Sequence, residues 1–131
     1  MTCIAIVDDD HDFLDLMREA LALEGYETIM HPGSGDSFPA LRDQHVDLIV
    51  IDIRMEQPDS GWVLLDLLRS DARTRTIPVL VCSAACDDLR SHEAWLSDRH
   101  IDALHKPFDI DDLYAAVRRA LAAAAAPLTA S

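Results

Sequence analysis

Asp47-Leu48-Ile49-Val50-Ile51-Asp52 is a run of four large aliphatic residues closed at each end by an aspartate. A strand with one wet face alternates apolar and polar residues. This run does not alternate, which fits a strand covered on both faces, as in a parallel sheet. Working outward, Cys3–Val7 has the same character and stops at Asp8-Asp9-Asp10, and Ile77–Cys82 stops at Ser83-Ala84. Ile101–Leu104 is a weaker strand that stops at His105-Lys106-Pro107, and Tyr26–Met30 is a short fifth one. Helical spacing fills the gaps. Phe13, Leu14, Met17, Leu21 and Leu23 recur at helical spacing, with Gly25 as the expected C-terminal cap. Phe38, Leu41 and Val46 mark a weaker helix with Pro39 in its first turn, where proline is tolerated. Trp62, Val63, Leu65, Leu67 and Leu68 mark the next. Asp87 or Asp88 is placed to cap a helix running to about Leu96, and Asp109 one carrying Ile110, Leu113, Val117 and Leu121. Strand and helix alternating five times predict a parallel sheet with helices on both sides.

The 131 residues fit one domain. Twenty-four acidic against 11 basic residues give a net charge of −13. That sign argues against nucleic acid as a direct partner, because phosphate backbones are held by Lys and Arg. It favours solubility, a cation or a basic protein partner. Cys3, Cys82 and Cys86 do not make a disulfide framework and are expected as reduced thiols. The start has no basic n-region, and no apolar run approaches the ~20 residues of a membrane span. A cytoplasmic protein with no membrane association is expected.

In an open parallel sheet, ligands bind beyond the carboxyl ends of the strands. Asp8-Asp9-Asp10, Asp52, Ser83-Ala84 and His105-Lys106 would all face that edge. Carboxylates gathered there repel unless a cation neutralises them. The donors are hard oxygens, which selects Mg²⁺, or Mn²⁺, over Zn²⁺. Lys106 is the chain's single lysine. With the Ser83 hydroxyl it suits a phosphate. A carboxylate can attack an activated phosphoryl group and form an aspartyl phosphate, and no general base is needed because the nucleophile is already ionised.

Four segments then match a known family in order and spacing: Ile6-Val-Asp8-Asp9, Asp47-Leu-Ile-Val-Ile-Asp52-Ile-Arg-Met, Val79-Leu-Val-Cys-Ser83-Ala84, and Lys106-Pro107-Phe108. Over roughly residues 2–121 the chain resembles the receiver domains of two-component response regulators, of the single-domain, chemotaxis-regulator-like kind. The resemblance implies a flavodoxin-like doubly wound (βα)5 fold, with a central five-stranded parallel sheet of strand order 2-1-3-4-5. It implies a receiver domain over 1–123, a helix end and disordered tail over 124–131, and no output domain. Asp52 would be the phosphoacceptor. Asp9 would bind Mg²⁺ directly, Asp8 through water, and the backbone carbonyl of Arg54 would be a further ligand. Lys106 would contact the phosphoryl group and Asp52, with Ser83 as the switch hydroxyl and Ala84 beside it. The phosphodonor would be a sensor histidine kinase or a histidine phosphotransfer protein, or a small phosphodonor such as acetyl phosphate. The downstream target would be a protein, and the chain a monomer or weak dimer. Asp10 reads as a helix-start residue.

The sequence departs from that pattern in three places. Glu56 stands where family members usually have proline, and Gly61 comes one residue late, so the Arg54–Ser60 loop carries an extra residue. Ala103 occupies the position of the usual aromatic switch, three residues before the lysine. Ser97-Asp-Arg-His-Ile101 replaces a Gly-Ala turn before the fifth strand, and Ala115, Ala116 and Ala120 are expected to be exposed nearby. These departures leave open a pseudo-receiver, an interaction module that is not phosphorylated. A phosphohydrolase of the aspartyl-phosphate type would need an acid/base aspartate where Arg54 stands, so a phosphoacceptor rather than an enzyme is expected.

Overall fold

The computed structural model describes residues 1–33, 35–55, 57 and 59–125. Its strands are β1 (Cys3–Val7), β2 (Glu27–His31), β3 (Leu48–Asp52), β4 (Val79–Ser83) and β5 (Asp102–His105). The helices are α1 (His11–Leu23), α2 (Ser37–Asp43), α3 (Ser60–Ser70), α4 (Cys86–Ser91), α5 (Glu93–Asp98) and α6 (Ile110–Ala125). The sheet runs β2-β1-β3-β4-β5 with every pair parallel.

All five residues of β3 are buried, as its unbroken apolar run requires. Successive side chains still point to opposite faces, and this divides the core in two. Ile4, Ile6, Leu48, Val50, Leu80 and Cys82 pack under α1 and α6, through residues such as Leu14, Met17, Leu113 and Val117. Ala5, Val7, Ile49, Ile51, Val79 and Val81 pack under α2 to α5, through Leu41, Leu64, Leu68, Leu89 and Leu96. The register sets Ile51 beside Val7 and Asp52 beside Cys82. Ser83 pairs with His105. The polar residues that end the strands therefore meet at one edge.

Several expectations shift. β2 and β5 begin and end one residue later than expected, and β4 covers Val79–Ser83 rather than Ile77–Cys82. Val46 is buried but follows α2, which ends at Asp43. The single helix expected to run to Leu96 is two helices that meet at His92. Ala85 holds the α4 cap position without a side-chain bond, while Asp87 and Asp88 lie in the first turn. Leu23 and Ile110 are 84 % and 44 % exposed: at 100° per residue Leu23 shares the outer side of α1 with exposed Leu16, and Ile110 is the first residue of α6. Ala116 and Ala120 are buried rather than exposed, since α6 turns its small residues onto the sheet. The end expected to fray lies partly outside the described residues, while the helix itself runs through Ala125. Gly25 behaves as expected. Its φ is +83°, its N–H donates to the Ala22 carbonyl at 3.0 Å, and Tyr26 N–H reaches back to Leu21 O at 3.1 Å.

Candidate functional site

The β1–α1 junction builds one wall. Asp8 N–H donates to His31 O at 3.1 Å, which extends the β1–β2 ladder by one residue and buries the Asp8 side chain to 1 % exposure. Asp8 Oδ1 accepts from Asp10 N–H at 2.9 Å. Asp10, as expected, opens α1: its Oδ1 accepts from the N–H groups of Asp12 and Phe13 at 3.0 and 3.3 Å. Asp9, held between these two fixed neighbours, is exposed.

Asp52, the last residue of β3, is 9 % exposed. Asp8, Asp9 and Asp52 each bring a carboxylate oxygen to within 4.8 Å of the other two. Three hard oxygen donors converging from two adjacent strands fit a small divalent cation such as Mg²⁺. Lys106 is the counter-charge. Its Nζ lies 2.7 Å from Asp8 Oδ2 and 3.6 Å from Asp52 Oδ2, so it reaches both carboxylates and holds Asp8 more tightly. Phe13 carries the Lys106 ammonium 3.8 Å from its ring centroid, and Phe108 meets Phe13 edge-on. Lys106 N–H donates to Ser83 O at 2.9 Å, tying the two strand ends together.

Burial pushes the Asp52 carboxyl up, Lys106 pulls it down, Asp8 pushes it up, the Arg54 backbone N–H lowers it and Asp9 raises it; the outcome is about 6. Asp52 is thus a desolvated carboxylate that is still mostly ionised near neutral pH. Beside it opens a cleft of about 210 Å³ bordered by Asp52, Arg54, Ser83, Ala84, Ala85 and Lys106. Ser83 is 1 % exposed, and its Oγ accepts from Ala85 N–H at 3.0 Å. Ala103 lies on β5 opposite Val81, exposed and with no side chain reaching back toward Ser83. Glu56, considered above as a loop departure, lies outside the described residues.

Two features were not read from sequence. Gly61 opens α3 directly against the end of β3: its N–H donates to Ile53 O at 2.8 Å, and a Cβ there would stand 2.3 Å from Asp52 O and 2.4 Å from Ile53 Cα. A glycine just after a polar loop was the available signal. The Arg54 side chain reaches α4, where its Nε donates to Asp88 Oδ2 at 3.0 Å. Nothing in a sequence pairs residues 34 apart.

The chain matches the model of the response regulator receiver domain over residues 4–118. It is 33 % identical over 118 residues to the regulatory protein AtoC of Escherichia coli (strain K12), covering 90 % of this chain and 25 % of that protein. It is 34 % identical over 122 residues to the DNA-binding dual master transcriptional regulator RpaA of Synechocystis sp., covering 92 % of this chain and 49 % of that protein. The chain thus spans between a quarter and a half of the curated relatives it matches. Among solved structures, a sensor protein from Polaromonas sp. JS666 superposes with a TM-score of 0.83 at 25 % identity, over 95 % of this chain and 98 % of that one. The response regulator TrrA from Thermotoga maritima, crystallised in complex with Mg²⁺-BeF, superposes with a TM-score of 0.79 at 23 % identity, over 92 % and 100 %. With the model match spanning most of its length, the chain belongs to the receiver-domain family of two-component response regulators.

Proposed function

We propose that this receiver domain takes up a phosphoryl group on Asp52 from a histidine kinase or a histidine phosphotransfer protein, and signals in the cytoplasm through altered protein binding. The observation that carries the reading is the convergence of Asp8, Asp9 and Asp52 oxygens within 4.8 Å, with Lys106 Nζ 3.6 Å from Asp52. The receiver unit is residues 1–123.

In this reading, an Asp52 Oδ attacks the phosphorus of a phosphohistidine. The new bond is the P–O bond of an acyl phosphate, the P–N bond breaks, and the imidazole leaves with the electron pair and takes a proton from solvent. Asp9 and Asp52, with the Arg54 backbone carbonyl, would hold Mg²⁺, and Asp8 would do so through water. A bound Mg²⁺ would offset negative charge on the transferring group. Lys106 does the same from the other side, and it already neutralises Asp8 at 2.7 Å. Ser83 and Ala84 border the space the phosphoryl oxygens would occupy.

Incubation with Mg²⁺ and acetyl phosphate, followed by intact-mass measurement, tests this. A single phosphoryl adduct that hydroxylamine removes and Asp52→Asn abolishes is expected. No adduct, together with no tryptophan fluorescence response to beryllofluoride, would overturn the reading in favour of an interaction module that is not phosphorylated.

A further inference from the structure

The family's usual aromatic position holds Ala103, which has no χ torsion and so cannot take two rotamers. Coupling between a site and a surface needs an element with two arrangements that both can bias. The structure offers one elsewhere. Arg54 leaves β3 two residues after Asp52 and borders the phosphoacceptor cleft. Its guanidinium reaches across to Asp88, in the first turn of α4. Only Nε is engaged there, so both Nη groups have no protein partner among the described residues. α4 is six residues long, has no side-chain N-cap and buries a single residue, Leu89. Such a helix depends on its outside ties, and the Arg54–Asp88 pair links it to the cleft.

We propose that Arg54 is a charge latch: Asp88 holds it in the unphosphorylated chain, and a phosphoryl group on Asp52 draws it away, releasing α4. The proposal rests on the phosphoacceptor reading above. The exchange is favourable because the two competitors are unequal. Arg54 and Asp88 side chains are 57 % and 29 % exposed, and an ion pair that open to water is weak. A phosphoryl group adds further negative charge and acceptor oxygens within the same cleft, which the guanidinium fork can bind bidentately. Linkage then fixes the sign. Whatever weakens the hold of Asp88 on Arg54 must strengthen binding of a phosphoryl group through Arg54. Arg54 contacts the phosphoryl group directly in this scheme, and α4 carries the output.

The test is a double-mutant cycle in the full chain, with Asp88→Asn, Arg54→Gln and the double variant. Affinity for beryllofluoride in the presence of Mg²⁺ is read by tryptophan fluorescence, and hydrogen exchange is followed at the α4 amides. Asp88→Asn should tighten binding about threefold, the worth of one exposed pair. Its effect should be clearly smaller when Arg54 is already Gln, where only the lost charge of Asp88 acts. The α4 amides should exchange faster on binding in the wild type, and already exchange fast in unliganded Asp88→Asn. An Asp88→Asn effect that is absent, reversed, or the same with and without Arg54 overturns the latch while leaving phosphorylation intact. A wild-type chain that neither binds beryllofluoride nor takes up phosphate overturns both.

Discussion

Asp52 carries a cost that its chemistry explains. Its carboxyl stands at about 6 rather than 3.8, chiefly through burial. Between those values the folded state binds a proton that the unfolded chain has released, so stability falls as pH rises through this window, and the full cost stands above about pH 6. Two units correspond to roughly 3 kcal/mol, which solvent screening at a partly open cleft reduces to about 1. Without metal, Asp52→Asn should therefore be more stable than wild type by about 1 kcal/mol near neutral pH, with the gain vanishing below about pH 4. Urea unfolding in EDTA across pH measures this. Gly61 poses the opposite problem. Alanine in a helix is worth about 1 kcal/mol over glycine. Here its Cβ would stand 2.3 Å from Asp52 O and 2.4 Å from Ile53 Cα, backbone atoms that cannot swing aside. The clash wins: Gly61→Ala should destabilise by about 2 kcal/mol and slow phosphoryl uptake, because the atoms displaced are those that aim Asp52. Denaturation and intact-mass time courses check both halves.

The elements that build the cleft are fixed unequally. α1 is thirteen residues long, buries Leu14, Met17, Ala20 and Leu21, and is capped by Asp10. That cap does two jobs, satisfying the first N–H groups of α1 and holding the turn that presents Asp8 and Asp9. Its charge, however, adds to a crowded edge. The two effects separate by substitution. Asp10→Ala loses the cap and should destabilise by about 1 kcal/mol. Asp10→Asn keeps an accepting oxygen while removing the charge, so it should be neutral or slightly stabilising in metal-free buffer; thermal melts of the two variants decide. By contrast α4 and α5 are six residues each, meet at His92 and bury Leu89 and Leu96. His92 stacks on Trp62 of α3 at 3.9 Å and its Nδ1 lies 2.8 Å from Asp88 O, so the break is held by an aromatic contact together with capping of the last turn of α4.

At the scale of the molecule, a net charge of −13 makes self-repulsion a standing cost, and three of the carboxylates are concentrated at one end of the sheet. Simple salt should raise the melting temperature by screening the whole surface. Mg²⁺ should raise it further at constant ionic strength, through site binding. Asp9→Ala should abolish the second effect and keep the first. It should also melt higher than wild type without metal, since an exposed like charge has left the cluster. Calorimetry with matched KCl and MgCl₂ series separates the two effects. An Asp9→Ala variant that keeps the full magnesium increment would place the cation elsewhere. Among the described residues no helix is long and apolar enough to cross a membrane.

Much of this was legible in the chain. Continuous apolar runs such as Leu48–Ile51 announce strands covered on both sides, and the polar residues that end them name the edge where chemistry gathers. Asp8, Asp9, Asp52, Ser83 and Lys106 could be placed there because strand ends in a parallel sheet are set by local pattern and by a topology with few alternatives. What local pattern does not encode is which groups meet across space. Lys106 reaches both Asp8 and Asp52, and which of them it holds more tightly is decided by the fold, which buries Asp8 more deeply and gives it the shorter ion pair. Ala116 and Ala120 read as surface because alanine has no strong preference, and only the seating of α6 on the sheet buries them. The split at His92, the close approach of Gly61 to Asp52 and the reach of Arg54 to Asp88 all depend on where α3 and α4 come to rest. That is decided by packing over long sequence separations, and no spacing along the chain records it.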